Sequence, residues 1–365
     1  MSQNGIVAKD RAGSEIISVD AMGGDLGPGV IIHGLARAIR QHPDVRFMVH
    51  GDSETIRRLA ARRRLLDRCE IRHAKEMVSM ASKPSQVMRH GQETSMWSAI
   101  DAVRNGDASA AVSCGNTGAL MAVSMMRLRK ASGIKRPAIA CLWPSRNTSG
   151  FNVLLDVGAH IDADRRDLLG YAAMGAYYAR SGLGVQRPRI GLLNVGTEDH
   201  KGRPEIRAAH ELIGSEAQRL NFDYIGFVEG SDIPSAKADV FVTDGFTGNI
   251  VLKSVEGTAS LIREFMREAF SHTPLSRIGG FFSFTSLRRL TRRIDPRRVN
   301  GGVFLGLNGT VVKSHGKADS VGVAAAVNLA VLLARSGGAE NLGTGGVLNL
   351  AHLAEEHDPE SEAEQ

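Results

Sequence analysis

One string occurs twice in this chain of 365 residues and constrains its fold more than any other feature. It reads Ser113-Cys114-Gly115-Asn116-Thr117-Gly118-Ala119-Leu120, and again Thr243-Asp244-Gly245-Phe246-Thr247-Gly248-Asn249-Ile250. Each time a short apolar run (Ala110 to Val112, Val240 to Val242) ends in a hydroxyl residue, and G-x-T-G leads into an amphipathic segment. That is strand, tight turn and helix start. Backbone amides, a hydroxyl and a helix N-terminus converge there, which is the chemistry an anion or phosphate requires. A plain βα connection, its glycines serving helix packing, is the alternative for either copy alone; two copies in one context favour a site.

The rest of the chain repeats this alternation. Apolar runs at Ile16 to Val19, Val45 to Val49, Ala138 to Leu142, Val153 to Leu155, Ile190 to Leu193 and Tyr224 to Val228 are separated by helical periodicity, for example at Val30 to Arg40, Arg165 to Arg180 and Ser320 to Ala334. Buried strands separated by helices predict an α/β fold, a three-layer α/β/α sandwich with a mostly parallel sheet. Ligands of such sheets bind at strand carboxyl ends. Those ends carry Asp20-Ala-Met-Gly23-Gly24-Asp25, Asp156-Val-Gly-Ala-His160, Asn194 with Glu198 and Lys201, and Asp244. The expectation is a polar rim along one edge of the sheet.

A hydrophobic content of 42% suffices for one large core. The predicted division is a disordered extension at 1–14, a single catalytic domain at 15–352 and an acidic disordered tail at 353–365. Three cysteines without C-x-x-C spacing, and no apolar run long enough to span a bilayer, predict a cytoplasmic setting. Seven arginines against one acid between Arg277 and Arg298 account for the whole net charge of +6, and they flank Phe281, Phe282 and Phe284. An amphipathic hairpin over 264–300, entering an anionic bilayer or docking an acidic protein, is one reading. Packing of its phenylalanines on the core or on a dimer mate is the other. A second basic segment, Glu54 to Arg68, includes Arg62 and Arg63. Nucleic acid is not expected, since neither segment belongs to a recognisable module. No metal-ligand spacing and no dinucleotide fingerprint occur, and Cys114 reads as a structural thiol.

The strings DAMGGD (20–25), SCGNTGAL (113–120), LLDVGA (154–159), LLNVGTEDHKG (192–202), GFVEG (226–230), DVFVTDGFTGN (239–249) and KSHGKAD (313–319) occur in this order, and together they resemble the bacterial acyl-carrier-protein-dependent phosphate acyltransferase family. The resemblance implies transfer of a long-chain fatty acyl group from acyl carrier protein to inorganic phosphate, giving acyl phosphate for phospholipid synthesis. It further implies a fold like isocitrate and isopropylmalate dehydrogenases and phosphate acetyltransferases, no cofactor, and a homodimer. The dimer would lie peripherally on the inner face of the cell membrane, beside the membrane glycerol-3-phosphate acyltransferase. His160 departs from the asparagine usual at that place, as does Leu26-Gly27 from the usual pair.

On this reading phosphate sits over Gly115 to Gly118 with Asn116 and Thr117 donating, and Lys201, Lys253 or His315 compensates its charge. Amides of the second cradle, Gly245 to Gly248, with Asn249, are the candidate oxyanion donors. His315 either protonates the departing thiol or holds phosphate; a histidine satisfied by its own loop is the competing reading. Asp20, Asp25 and Asp244 orient donors, with Gly23, Gly24, Asn194 and Glu198 completing the rim. Arg62 and Arg63 compete with Arg288, Arg289 and Arg292 as the carrier-protein dock, and Phe281, Phe282 and Phe284 form the membrane element. A coenzyme A-dependent short-chain phosphate acyltransferase, a decarboxylating dehydrogenase and a non-enzymatic membrane scaffold are the alternatives.

Overall fold

The computed structural model describes residues 15–287 and 301–336. The expected terminal extensions, and Arg288, Arg289 and Arg292 of the basic hairpin, lie outside the described residues. In chain order the first half runs β1 (Ile16–Asp20), α1 (Pro28–Ala38), β2 (Arg46–Gly51), α2 (Ser53–Arg62), β3 (Cys69–His73), α3 (Pro84–His90), α4 (Ser95–Arg104), β4 (Ala110–Ser113) and α5 (Thr117–Leu128). There follow β5 (Ala138–Pro144), β6 (Phe151–Leu155), α6 (Arg165–Leu183), β7 (Arg189–Leu193), α7 (Pro204–Glu216), β8 (Asp223–Val228), β9 (Val240–Val242), α8 (Gly245–Ser271) and α9 (Pro274–Phe282). The strands β10 (Gly302–Leu305) and β11 (Thr310–Lys313) and the helix α10 (Ser320–Arg335) close the described chain.

All eleven strands form one sheet, ordered β3-β2-β1-β4-β11-β10-β5-β6-β9-β7-β8. Alternate side chains of each strand enter two cores. Ala140, Leu155 and Val112 face one beside residues of α1, α6 and α10, while Ile139, Cys141, Leu154 and Ala111 face the other beside α4 and α5. This is the expected three-layer α/β/α arrangement. The helices start where side chains take up their orphan amides: Asn116 caps α5, Asp244 caps α8 and Asp319 caps α10.

The expected single rim is corrected by the middle of the sheet. β10 is antiparallel to both β11 and β5, and β5 is antiparallel to β6. The strands from β6 to β8 therefore run opposite to β1, β4 and β11, and their carboxyl ends point the other way. Register brings the two sets together. Lys313, the last residue of β11, lies opposite Gly302, which lies opposite Cys141; Leu155, the last of β6, lies opposite Ala140. Both sets of strands thus end at the same level of β5, and β5 floors the space between them.

α2 stops at Arg62, short of the expected Arg68, because Arg64 turns left-handed at a φ of 55°. Residues 288–300 of the expected hairpin lie outside the described residues; the helix that leads into it, α8, spans 27 residues, of which only Gly245 and Gly248 are buried. Its apolar side chains, Ile250, Val255, Leu261, Ile262 and Phe265, are exposed, as are Phe281, Phe282 and Phe284 further on.

Candidate active site

Asp20 organises the first cradle from below. Its buried carboxylate accepts the amides of Met22 at 3.2 Å and Gly23 at 3.1 Å and the hydroxyls of Ser95 and Ser113, each at 2.7 Å. Ser113 Oγ in turn accepts the Gly115 amide at 3.0 Å. A Cβ on Gly23 would lie 2.8 Å from that same nitrogen, so the two loops touch only because residue 23 has no side chain. Asn116 is occupied as well: its Oδ1 caps α5 by accepting the Ala119 amide at 2.9 Å, and its Nδ2 donates to the carbonyls of Met80 and Ser82 at 2.7 and 3.2 Å. The amide expected to face phosphate instead ties the 80–82 loop to the helix start. Thr117 and Gly118, the first two residues of α5, keep their amides clear of these bonds at the positive end of the helix dipole, and Thr117 lines a cavity.

Asp156 plays the matching part in the other half. Burial holds its carboxyl above the ordinary carboxylate range, an effect that the amides of Ile139, His160, Ala159 and Gly158, which donate to it, only partly offset. The loop it holds packs against the second cradle, where Gly248 passes so near that a Cβ would fall 1.9 Å from the Asp156 carbonyl oxygen. His160 joins through its backbone, its amide bonding Asp156 and its carbonyl accepting the Gly245 amide at 2.8 Å. Any side chain at 160 leaves those two bonds in place. Asp244 accepts the Thr247 amide at 2.7 Å and hydroxyl at 3.1 Å, and pairs with Arg203. The Gly248 amide bonds the Asp244 carbonyl at 2.9 Å. Gly245, Thr247 and Gly248 therefore have their amides committed inside the protein, and Asp244 caps the helix. Asn249 is the member of this string whose side chain reaches the cavity.

That cavity, about 1150 Å³, lies over the face of β5 where the two sets of strands end. At one end it is lined by Asp25, Thr117, Lys253, Lys313 and His315; along the floor by Ile139, Cys141 and Trp143; and along the α8 side by Asn249, Leu252, Val255 and Ile262. Lys253 Nζ lies 3.3 Å from His315 Nε2 and 2.8 Å from Glu256 Oε2. His315 Nδ1 accepts the Lys317 amide at 3.1 Å, and this bond assigns the neutral ring's proton to Nε2. Burial first and Lys253 second lower the His315 pKa, so the neutral form prevails at pH 7. Burial pushes the Cys114 thiol up to about 11, which suits a packing role.

Asp25, Thr117, Asn249, Lys253 and His315 are thus brought together from four separate strings. Asn194, Glu198 and Lys201 are not: Lys201 pairs with Glu198 at 2.8 Å in the loop after β7, Asn194 bonds the Lys201 carbonyl at 3.1 Å, and none of the three lines the cavity. Lys313 lies in KSHGKAD, but the sequence reading assigned that string's chemistry to His315. A lysine closing the buried run Thr310-Val311-Val312 was the available signal. Among the described residues no cluster of metal-binding side chains occurs, and no helix is long and apolar enough to cross a membrane.

The model of the family described as fatty acid synthesis protein matches residues 16–341. The chain is 64% identical over 338 residues to the phosphate acyltransferase of Jannaschia sp. (strain CCS1), covering 92% of this chain and 93% of that one. It is 66% identical over 328 residues to the phosphate acyltransferase of Dinoroseobacter shibae, covering 90% and 85%. The chain belongs to the phosphate acyltransferase family. Among solved structures, a phosphotransacetylase from Streptococcus pyogenes superposes with a TM-score of 0.57 at 19% identity, covering 88% of this chain and 94% of that one. A branched-chain phosphotransacylase from Enterococcus faecalis V583 gives 0.55 at 13% identity, covering 88% and 99%. At such identities the likeness is one of fold, and it is the α/β/α fold expected of this phosphate acyltransferase family member.

Proposed function

We propose that the chain transfers a long-chain acyl group from acyl carrier protein to inorganic phosphate, giving acyl phosphate for phospholipid synthesis. One observation carries this: a single cavity joins an end lined by lysines, a histidine and a helix N-terminus to an apolar floor and wall that accommodate a hydrocarbon chain. Phosphate dianion is already an oxygen nucleophile, so positioning and electrostatics carry the reaction. A phosphate oxygen bonds to the thioester carbonyl carbon, the carbonyl oxygen becomes an oxyanion beside Asn249, and the C–S bond breaks as the oxyanion collapses. The sulfur leaves as the thiolate and takes its proton from water, while the Nε2–H of neutral His315 serves as a hydrogen-bond donor rather than as the acid.

Acyl phosphate trapped as hydroxamate tests this. The purified protein is expected to form it from palmitoyl acyl carrier protein only when phosphate is present, and to give little with palmitoyl-CoA. No product from the carrier-protein donor in a folded preparation overturns the reading, and product from coenzyme A alone favours the short-chain alternative.

For the carrier protein, which is acidic, the proposed dock is the basic surface shared by α1 and α2. Arg37, Arg40 and Arg63 stand close enough to His33 to lower its pKa, after burial itself. Steering by such a surface weakens as salt rises. For the membrane, the proposed element is the tip of the hairpin, where Phe281 and Phe282 are each 79% exposed. Changing both to Glu should release the protein from anionic liposomes in a flotation assay and leave acyl transfer in solution within about twofold, since neither residue lines the cavity. Unchanged flotation with a lost dimer would assign the tip to a second copy of the chain.

A further inference from the structure

We propose that Lys313 is the anchor of the attacking phosphate, an inference that rests on the reaction proposed above. It differs from the other bases near it in the cavity lining, Lys253, His315 and Lys317, of which Lys317 is exposed. Lys253 and His315 are exposed, and Lys253 is already paired with Glu256. Lys313 is only 8% exposed, and among the described residues no carboxylate lies within 4.0 Å of its ammonium. Nζ donates instead to two backbone carbonyls, those of Cys114 at 3.2 Å and of Ser314. An ammonium has three N–H donors, so one remains beyond these two. Lys313 lines the cavity, as do Thr117 at the start of α5, Lys253 and His315.

A buried cation without a countercharge is costly, and side chains so placed are retained where a ligand completes them. Burial above all, with Lys253 adding to it, lowers the Lys313 pKa to about 8, partly offset by Asp20 and Asp25. At pH 7 the ammonium remains charged, and a dianion at its third N–H supplies the countercharge that the carbonyls supply only as dipoles. The same bonds hold Nζ in place. Through Cys114 they connect it to the loop that precedes the Thr117 and Gly118 amides, so cation and amides converge without rearrangement.

Lys313→Gln keeps a donor for the Cys114 carbonyl and removes the charge. The phosphate KM should rise by on the order of ten- to a hundredfold, the cost of a lost charge-assisted hydrogen bond, while the KM for the acyl donor changes by less than about threefold, and Lys313→Arg recovers part of the loss. Calorimetric titration of inorganic phosphate into the wild-type protein and the variant gives a readout without turnover. Equal phosphate affinity in the two overturns the anchor role but leaves the reaction standing, whereas a wild-type protein that binds no phosphate overturns the reaction itself. Should the Gln variant fail to fold, amine labelling of wild-type protein read by mass spectrometry decides. Phosphate should suppress labelling of Lys313 several-fold and leave the exposed Lys237, which does not line the cavity, unchanged. Equal labelling of Lys313 with and without phosphate, in protein that binds phosphate by calorimetry, overturns the anchor role.

Discussion

Replacing Asn249 by alanine should lower the turnover number of acyl phosphate formation by two to three orders of magnitude. Asn249 sits near the start of α8 beside Gly158, where a Cβ on the glycine would meet the Asn249 side chain at 3.6 Å, and both residues line the cavity. Gly245, Thr247 and Gly248 have spent their amides on Asp244 and His160, and of this string it is Asn249 that lines the cavity, so its side-chain amide is the donor placed to meet the oxyanion. Losing one such donor raises the barrier by roughly 2.7 to 4 kcal/mol. Because the oxyanion exists only in the transition state, kcat should carry the loss and the phosphate KM should stay near its wild-type value. The residue is exposed, so the melting temperature should move by no more than a degree or two. A fall of tenfold or less, measured by steady-state kinetics, removes Asn249 from this role.

Gly248→Ala should do greater damage by a different route. The added methyl would fall 1.9 Å from the Asp156 carbonyl oxygen, 3.0 Å from its carbon and 3.0 Å from Thr243 Cγ2. Two of these atoms are backbone in a loop pinned by four amides on the Asp156 carboxylate, so no side-chain rotation relieves the clash. Overpacking costs about 1 to 3 kcal/mol where neighbours yield, and here it should exceed the upper figure. Urea unfolding should show a midpoint drop of a molar or more at an unchanged slope, taking a slope of about 1 to 3 kcal/mol per molar. A variant within about 0.5 kcal/mol of wild type would mean that α8 shifts freely against the 156–160 loop. The same shift would carry Asn249 away from Gly158, so activity and stability should fall together.

Both G-x-T-G strings were legible because they obey local rules: an apolar strand, a turn glycine and a capping residue lie within eight positions of one another. The eight strands expected from continuous apolar runs are all present. β3, β10 and β11 were missed: β3, Cys69-Glu-Ile-Arg-His73, alternates with charged residues and makes no continuous apolar run, and β10 and β11 are joined by a glycine-containing turn that reads as one loop. The reversal of strand direction comes between β5 and β6, which are antiparallel; both strands were expected but their relative direction was not, so Asp20 at the end of β1 and Asn194 after β7, read as one rim, lie at strand ends that point opposite ways. The expected oxyanion amides failed for another reason. A cap and a ligand compete for the same N–H groups, and sequence does not say which one wins. The two caps are alike, Asp244 taking the Thr247 amide and Asn116 the Ala119 amide, each three residues on; what closes the second cradle further is the His160 carbonyl, which takes the Gly245 amide.

The length of α8 links two properties that a shorter helix would keep apart. Twenty-seven residues at 1.5 Å each extend about 40 Å, with Asn249 and Lys253 near the first turn and the phenylalanine-rich tip beyond the last. A surface that grips Phe281 and Phe282 therefore grips one end of a beam whose other end borders the reacting atoms. A tilt of only 3° about its far end would displace the near end by about 2 Å, and misplacement of about 1 Å is enough to cost on the order of a hundredfold in rate. If Phe281 and Phe282 take hold of a membrane as proposed, where the protein is held and how fast it works would be settings of the same lever.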